Sequence, residues 1–135
     1  MVPIATETFG VHLMMDCYGA DPEALANPEA LRGMMLEIVR RLGMHQIHEP
    51  VVVEVGPKNR KDPGGLSGFL LIAESHISFH TFPKRQFATI DVYTCQNDVD
   101  ADVVAHVLSG TLRYQNIERF TQRRGIRYPS ENLVE

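Results

Sequence analysis

Residues able to do covalent or acid–base chemistry crowd into the middle of the chain: Ser67, Glu74, Ser75, His76, Ser78, His80 and Thr81, then Asp91, Thr94 and Cys95. Two chemistries can be weighed on residue type and spacing. His76 and His80 have H-x₃-H spacing, which on a helix would place both rings on one face. On a strand four residues span roughly 13 Å, too far for both rings to reach one ion at about 2 Å. The alternation of Ile77 and Phe79 with the histidines favours a strand, so no metal site is predicted. The second chemistry is hydrolysis, with Ser75 or Cys95 as nucleophile and a histidine base. The G-x-S-x-G elbow is not met, because Gly65-Leu66-Ser67-Gly68 has the wrong spacing. A lone cysteine at a strand end, such as Cys95, is ordinarily a small buried residue.

Hydrophobic periodicity shows what must position these groups. A first strand runs from about Phe9 to Cys17, where Val11, Leu13 and Met15 alternate with His12, Met14 and Asp16. After the turn "YGAD", Asn27 can cap a helix with Pro28 and Glu29 in its first turn. Leu31, Met34, Met35, Ile38 and Leu42 form its apolar stripe, Glu37 and Arg41 an i, i+4 pair, and Gly43 its stop. Val51 to Val55 reads as a strand, followed by the breaker-rich loop "GPKNRKDPGG". A strand resumes at Leu66, and the apolar run Gly68 to Ala73 predicts cover on both faces. Ser75 to Thr81 alternates, Pro83 breaks the pattern, and Phe87 to Thr94 resumes it. Asp98 or Asp100 starts a second helix carrying Val103, Val104, Val107 and Leu108, which Gly110 ends. A last strand is predicted from Leu112 to Phe120, before a polar tail with Gly125 and Pro129. This order implies an α+β two-layer sandwich, a largely antiparallel sheet with two helices on one face.

Composition bounds the function. The chain has 135 residues, 44% hydrophobic and 22% charged, which predicts one domain spanning 1–135 with its own core. Thirteen basic against seventeen acidic residues give a net charge of −4, without the basic footprint of a nucleic-acid binder. No apolar run approaches the roughly 20 residues a bilayer requires, and the N-terminus has no signal-peptide pattern. Two cysteines, Cys17 and Cys95, do not make a disulfide framework, so a reducing cytoplasm is expected.

The run "GLSGFLLIAESHISFHTFP", then "ATIDVYTC", with "TFGVHLMMDCYG" near the N-terminus, resembles the small prokaryotic S-adenosylmethionine decarboxylase proenzymes over about residues 8 to 100. The resemblance implies self-cleavage between Glu74 and Ser75, giving a β chain 1–74 and an α chain 75–135. The Ser75 hydroxyl would attack the Glu74 carbonyl, and Ser75 would become a pyruvoyl cofactor. By the same carry-over, Ser67 stabilises the oxyanion, His80 removes the proton that drives elimination, and Cys95 reprotonates the decarboxylated carbon. A pyruvoyl group forms a Schiff base with the substrate amine and delocalises the carbanion. The implied pathway is polyamine (spermidine) biosynthesis. The implied assembly is a homodimer of processed αβ protomers with sites at or near the subunit interface.

Two departures bear on the substrate. Lys84, followed by Arg85, stands where such proteins usually carry an acid for the ribose hydroxyls, and an ammonium cannot accept hydrogen bonds from a diol. The loop "KNRKDPGG" also lacks the aromatic residue usual before the "G-x-SG" turn, and Gln96 replaces a glycine after "TC". What the resemblance implies is still S-adenosylmethionine as substrate, with arginine or ornithine as the alternative and an unprocessed regulatory paralogue as a third reading. His12, Asp16 and Lys84 are candidate substrate contacts. His45, His48 and His106 lie outside the motif.

Overall fold

The computed structural model describes residues 3–135. A six-stranded sheet runs in the order β3 (Val51–Val55), β4 (Gly65–Ile72), β5 (Ser75–Phe82), β6 (Phe87–Thr94), β2 (Gly10–Tyr18) and β7 (Asn116–Arg124). Every neighbouring pair in it is antiparallel. Helices α1 (Pro22–Leu25), α2 (Pro28–Arg41) and α3 (Ala101–Leu112) complete the sandwich, and a 3₁₀ turn at Pro83–Arg85 joins β5 to β6. A separate ribbon pairs β1 (Thr6–Glu7) with β8 (Tyr128–Pro129), so the polar tail folds back on the N-terminal segment.

Strand alternation sorts the sheet into two faces. Leu13, Met15 and Cys17 of β2, Leu70 and Ile72 of β4, Ile77 and Phe79 of β5, and Ala88, Ile90 and Val92 of β6 point to the core. They meet Leu31, Met34, Met35 and Ile38 of α2 and Val104, Val107 and Leu108 of α3. Each fully buried side chain of this size contributes on the order of 1.5–3 kcal/mol. The Asn27 carboxamide oxygen accepts from the Glu29 and Ala30 amides at 3.1 and 3.2 Å, and Gly43 lies past the end of α2 at φ +68°. Glu37 pairs with both Arg41 (2.9 Å) and Arg40, which holds its carboxyl down at about 2.

Four expectations are corrected. Gly110 does not end α3, which continues to Leu112 because that side chain is fully buried; Arg113 then adopts a left-handed cap at φ +49°. The final strand therefore begins at Asn116 and reaches Arg124, as a largely exposed edge strand. The "YGAD" turn leads into the short α1, where the Asp21 carboxylate caps Glu23 at 3.1 Å and Leu25 is buried. Finally, the apolar run of β4 is covered on one face only. Leu70 and Ile72 enter the core, but Phe69 and Leu71 are 43% and 45% exposed, because all three helices occupy the opposite side. The open face also presents Val53 and Val55 of β3 and Phe120 of β7.

Candidate active site

Glycines draw β4 and β5 together around Ser67. A Cβ on Gly65 would stand 1.8 Å from the Thr81 carbonyl oxygen, and one on Gly68 would stand 2.4 Å from the Phe79 ring. Only glycine permits these approaches. Ser67 then falls directly opposite His80 on the open face, with Oγ 2.7 Å from Nδ1. Beneath them Thr81 is buried, its hydroxyl donating to the Leu25 carbonyl (2.7 Å) and accepting from the Leu66 amide (3.1 Å). Ser67, His80, Asp62 and Phe82 share a small cavity of about 120 Å³.

A second cluster sits at the other end of the same hairpin. Ala73 and Glu74 form the turn, closed by the Ser75 amide donating to the Ala73 carbonyl at 2.9 Å. The Ser75 hydroxyl donates to Thr94 Oγ1 at 3.2 Å, and that oxygen also accepts from the Gln96 amide at 3.1 Å. Cys95 Sγ lies 4.0 Å from a Glu74 carboxylate oxygen. Sequence reasoning gave Thr94 no role. Its signal was present: Ala88, Ile90, Val92 and Thr94 form one buried row, and a hydroxyl at the end of such a row needs a partner.

The two clusters are separate. Ser75 and His80 lie five residues apart on β5, about 17 Å along a strand, and their side chains have opposite parity. Within one chain, Ser67 and His80 form one pair, and Ser75 and Cys95 belong to another place. The four candidate residues thus fall into two pairs within one chain, held apart by the stiff strand β5.

Charged groups fill the centre of the open face. His12 Nε2 contacts Asp91 at 2.8 Å. Asp16 lies opposite Thr89 and Glu118, and burial, Glu118 and Asp91 raise its carboxyl above the usual carboxylate range. Tyr18 donates to the Glu118 carboxylate, which pushes the phenol up to about 12. His76 packs against Tyr93 (5.4 Å between centroids), with the Arg124 guanidinium 5.1 Å above the same ring. Burial lowers the His76 pKa most, His12 and Arg124 add to this, and Asp91 opposes it.

Lys84 is not brought to either cluster; it lines a separate cavity of about 510 Å³ with Pro28, Val52 and Glu54. Both cysteines are free, but burial pushes the Cys17 thiol up to about 12, leaving Cys95 the accessible thiol. His76 and His80, on one face of β5, are four residues apart.

Comparison with known proteins agrees with this architecture. A family model described as S-adenosylmethionine decarboxylase matches residues 11–125. An S-adenosylmethionine decarboxylase proenzyme of Thermococcus onnurineus is 31% identical over 128 residues, covering 95% of this chain and 86% of that protein. One from a Thermoanaerobacter species is 32% identical over 117 residues, covering 87% and 89%. The crystal structure of the adenosylmethionine decarboxylase from Aquifex aeolicus superposes with a TM-score of 0.76 at 28% identity, covering 93% of this chain and 98% of that one. With the match spanning both hairpin clusters and nearly the whole sheet, the chain belongs to the S-adenosylmethionine decarboxylase family.

Proposed function

We propose that this chain is a proenzyme that cuts itself between Glu74 and Ser75 and then decarboxylates S-adenosylmethionine. The observation that carries the reading is the position of that peptide bond. It lies at the apex of the β4–β5 hairpin, with the Ser75 hydroxyl held by Thr94 and the Cys95 thiol beside Glu74.

The chemistry follows from this placement. The Ser75 oxygen bonds to the Glu74 carbonyl carbon as the C–N bond breaks, and the hydroxyl proton ends on the freed amine. Removal of the Ser75 α-proton then expels the Glu74 carboxylate, and water displaces ammonia to leave a ketone at the new chain end. The residues fit such a group: Ser75 is half-buried on a rigid strand end, with one hydroxyl and one thiol as neighbours. When present, this pyruvoyl group supplies an electron sink for the carbanion left by loss of carbon dioxide. Cys95 would return a proton to that carbon.

Ser67 and His80 serve the same reaction from a second copy of the chain. A two-fold pairing of open sheet faces would bring the Ser67–His80 end of one copy to the Ser75 end of the other. Exposed Val53, Val55, Phe69 and Leu71 would be buried in such a pairing, which supports it. There Ser67 would hydrogen-bond the oxyanion and His80 would take the α-proton. His12 and Asp16, at the centre of the same face, would meet the substrate amine or the facing subunit. The setting we infer is a reducing cytoplasm, where Cys95 stays a thiol. No helix among the described residues is long and apolar enough to cross a membrane.

Intact-mass analysis under denaturing conditions tests the first step, and carbon dioxide release from S-adenosylmethionine, arginine and ornithine tests the second. The expected result is two chains meeting between Glu74 and Ser75, with release from S-adenosylmethionine. A single uncut chain without release would overturn the reading in favour of a regulatory paralogue. A cut chain that releases carbon dioxide only from arginine or ornithine would overturn the substrate.

A further inference from the structure

The segment between α2 and β3 carries a histidine whose ring stands in for a backbone carbonyl. Pairing between β3 and β4 stops at Val51, because the preceding Pro50 has no N–H and its carbonyl accepts from Arg32 Nη1 at 2.5 Å. The Val51–Phe69 register, carried on, would set His48 opposite Ile72. An isolated bridge sets Gln46 there instead, so the chain bulges between Gln46 and Val51. Past the bulge the Ile47 amide donates to the Leu71 carbonyl at 3.2 Å. The Leu71 amide donates to His48 Nε2 at 2.8 Å. The other ring nitrogen, Nδ1, lies 2.6 Å from the Glu49 carbonyl oxygen. A carbonyl only accepts, so Nδ1 carries the proton and Nε2 offers a lone pair. Both nitrogens of the neutral ring are thus committed, and the ring rests beside Phe69 at 5.7 Å between centroids.

Leu71 is close to the proposed cut. It stands opposite His76, and the next pair, Ile72 and Ser75, closes the hairpin over Ala73 and Glu74. Attack by the Ser75 oxygen on the Glu74 carbonyl carbon requires both arms of that hairpin to be held in line. Thr94 holds the downstream arm through the Ser75 hydroxyl. The upstream arm runs past the end of β3, and there Ile47 and His48 hold Leu71 by its carbonyl and its amide.

We propose that His48 is a positioning residue for self-cleavage: its neutral ring anchors the Leu71 amide and so fixes the strand end that presents the Glu74 carbonyl to Ser75. This role rests on the reading that the chain cuts between Glu74 and Ser75; the hydrogen bond does not. Protonation leaves the ring with two donors and no acceptor, so it cannot receive the Leu71 N–H. The anchor is therefore complete while the ring is neutral and is lost as the pH falls through the range in which imidazoles titrate. The titratable and charged neighbours are few. His45 and Glu49 flank the ring on its own segment, both exposed. β4 offers only Phe69 and Leu71, β5 places His76 opposite Leu71, and Arg32 of α2 is bonded to the Pro50 carbonyl.

Two measurements test the role. Nitrogen-15 spectra of the uncut Ser75→Ala chain at pH 7.5 should show His48 as the Nδ1–H tautomer, with a coupling across the bond from the Leu71 amide to Nε2. That coupling should vanish on acidification as the ring protonates. A ring with its proton on Nε2 at pH 7.5 would overturn the anchor. Intact-mass time courses of freshly made wild type, His48→Gln and His48→Leu from pH 5.5 to 8 test the consequence. The amide oxygen of Gln accepts at every pH in that range, so His48→Gln should mature near the wild-type rate at pH 8 and several-fold faster than wild type at pH 5.5. His48→Leu should mature up to about ten-fold more slowly at pH 8, the reach of one lost hydrogen bond, and draw level with wild type at pH 5.5. His80 titrates in all three chains, so the ratios to wild type isolate His48. His45→Gln, on the same segment, should match wild type throughout. A His48→Gln ratio that does not change with pH would overturn the role, and it decides the matter even if His48→Leu fails to fold. A wild-type chain that never cuts would overturn the role and the cleavage reading together, whereas one that cuts with an unchanging ratio would overturn the role alone.

Discussion

The Ser75 hydroxyl donates to Thr94 Oγ1 across 3.2 Å, where β5 begins and β6 ends. This bond ties the hydroxyl at the proposed cleavage point to the buried row of β6, and it aligns a group that would otherwise rotate freely.

Thr94→Val keeps the shape of that row and removes the acceptor. One hydrogen bond has a net worth of about 0.5–1.5 kcal/mol, so cleavage at Glu74–Ser75 should slow by up to about ten-fold. An intact-mass time course on freshly made protein reads this directly, with Ser75→Ala as the uncut reference. A Thr94→Val chain that matures at the wild-type rate would remove Thr94 from the reaction.

Cys95→Ala should still mature, because the proposed scission uses the Ser75 hydroxyl and not the thiol. Its turnover should fall by about 10²–10⁴-fold if it is the proton donor. Counting both the cut fraction and carbon dioxide release separates the two effects; full turnover in a mature Cys95→Ala enzyme would refute the role.

Ser75→Ala and His80→Ala chains should each be inactive alone yet active when co-expressed. Random pairing in a two-fold dimer leaves one working site in the mixed species, or about a quarter of wild-type turnover. Absence of any recovery would mean that Ser75 and His80 act within one chain, against the distance between them along β5.

The lowered pKa of His76 makes a prediction for stability against pH. The unfolded chain takes up the proton near the ordinary value of 6.5, before the folded chain does. This contribution is therefore complete above that pH and declines as the pH falls through the folded pKa. Denaturant midpoints at pH 7.5 and 5.5 should drop more for wild type than for His76→Gln, in which His12, Asp91 and Arg124 are unchanged. Equal drops would assign the acid sensitivity elsewhere.

Gly68→Ala should cost about 1–3 kcal/mol, since the new Cβ would meet the Phe79 ring at 2.4 Å and the Val51 carbonyl oxygen at 2.8 Å. A denaturation midpoint measures it. A neutral effect would show that β4 can move away from β5 freely.

Much of this architecture was legible in the chain. Period-two alternation located β2, β5 and β6 to within a residue or two, the valine-rich run located β3, and the Asn27–Pro28 cap placed the start of α2. Gly110 misled because a solvent-facing glycine is tolerated in a helix whose later Leu112 is anchored in the core. The β4 run misled because an unbroken apolar run does not say how many of its faces are covered, and Phe69 and Leu71 stay exposed on the open face. Candidate site residues could be named from the chain, but not their arrangement. Register, which splits Ser67–His80 from Ser75–Cys95, depends on pairings between strands and leaves little trace in residue type.

A cut at the apex of the β4–β5 hairpin changes the order in which this protein can be made. Both strands would stay zipped to their neighbours, so scission need not loosen the folded form. The denatured form, however, would become two molecules, and recovering the native state would turn from a unimolecular event into a concentration-dependent encounter. Maturation would thus act as a one-way gate: the polypeptide has to assemble first, and a heated, nicked sample should regain structure far less readily in dilute solution than its unnicked Ser75→Ala counterpart.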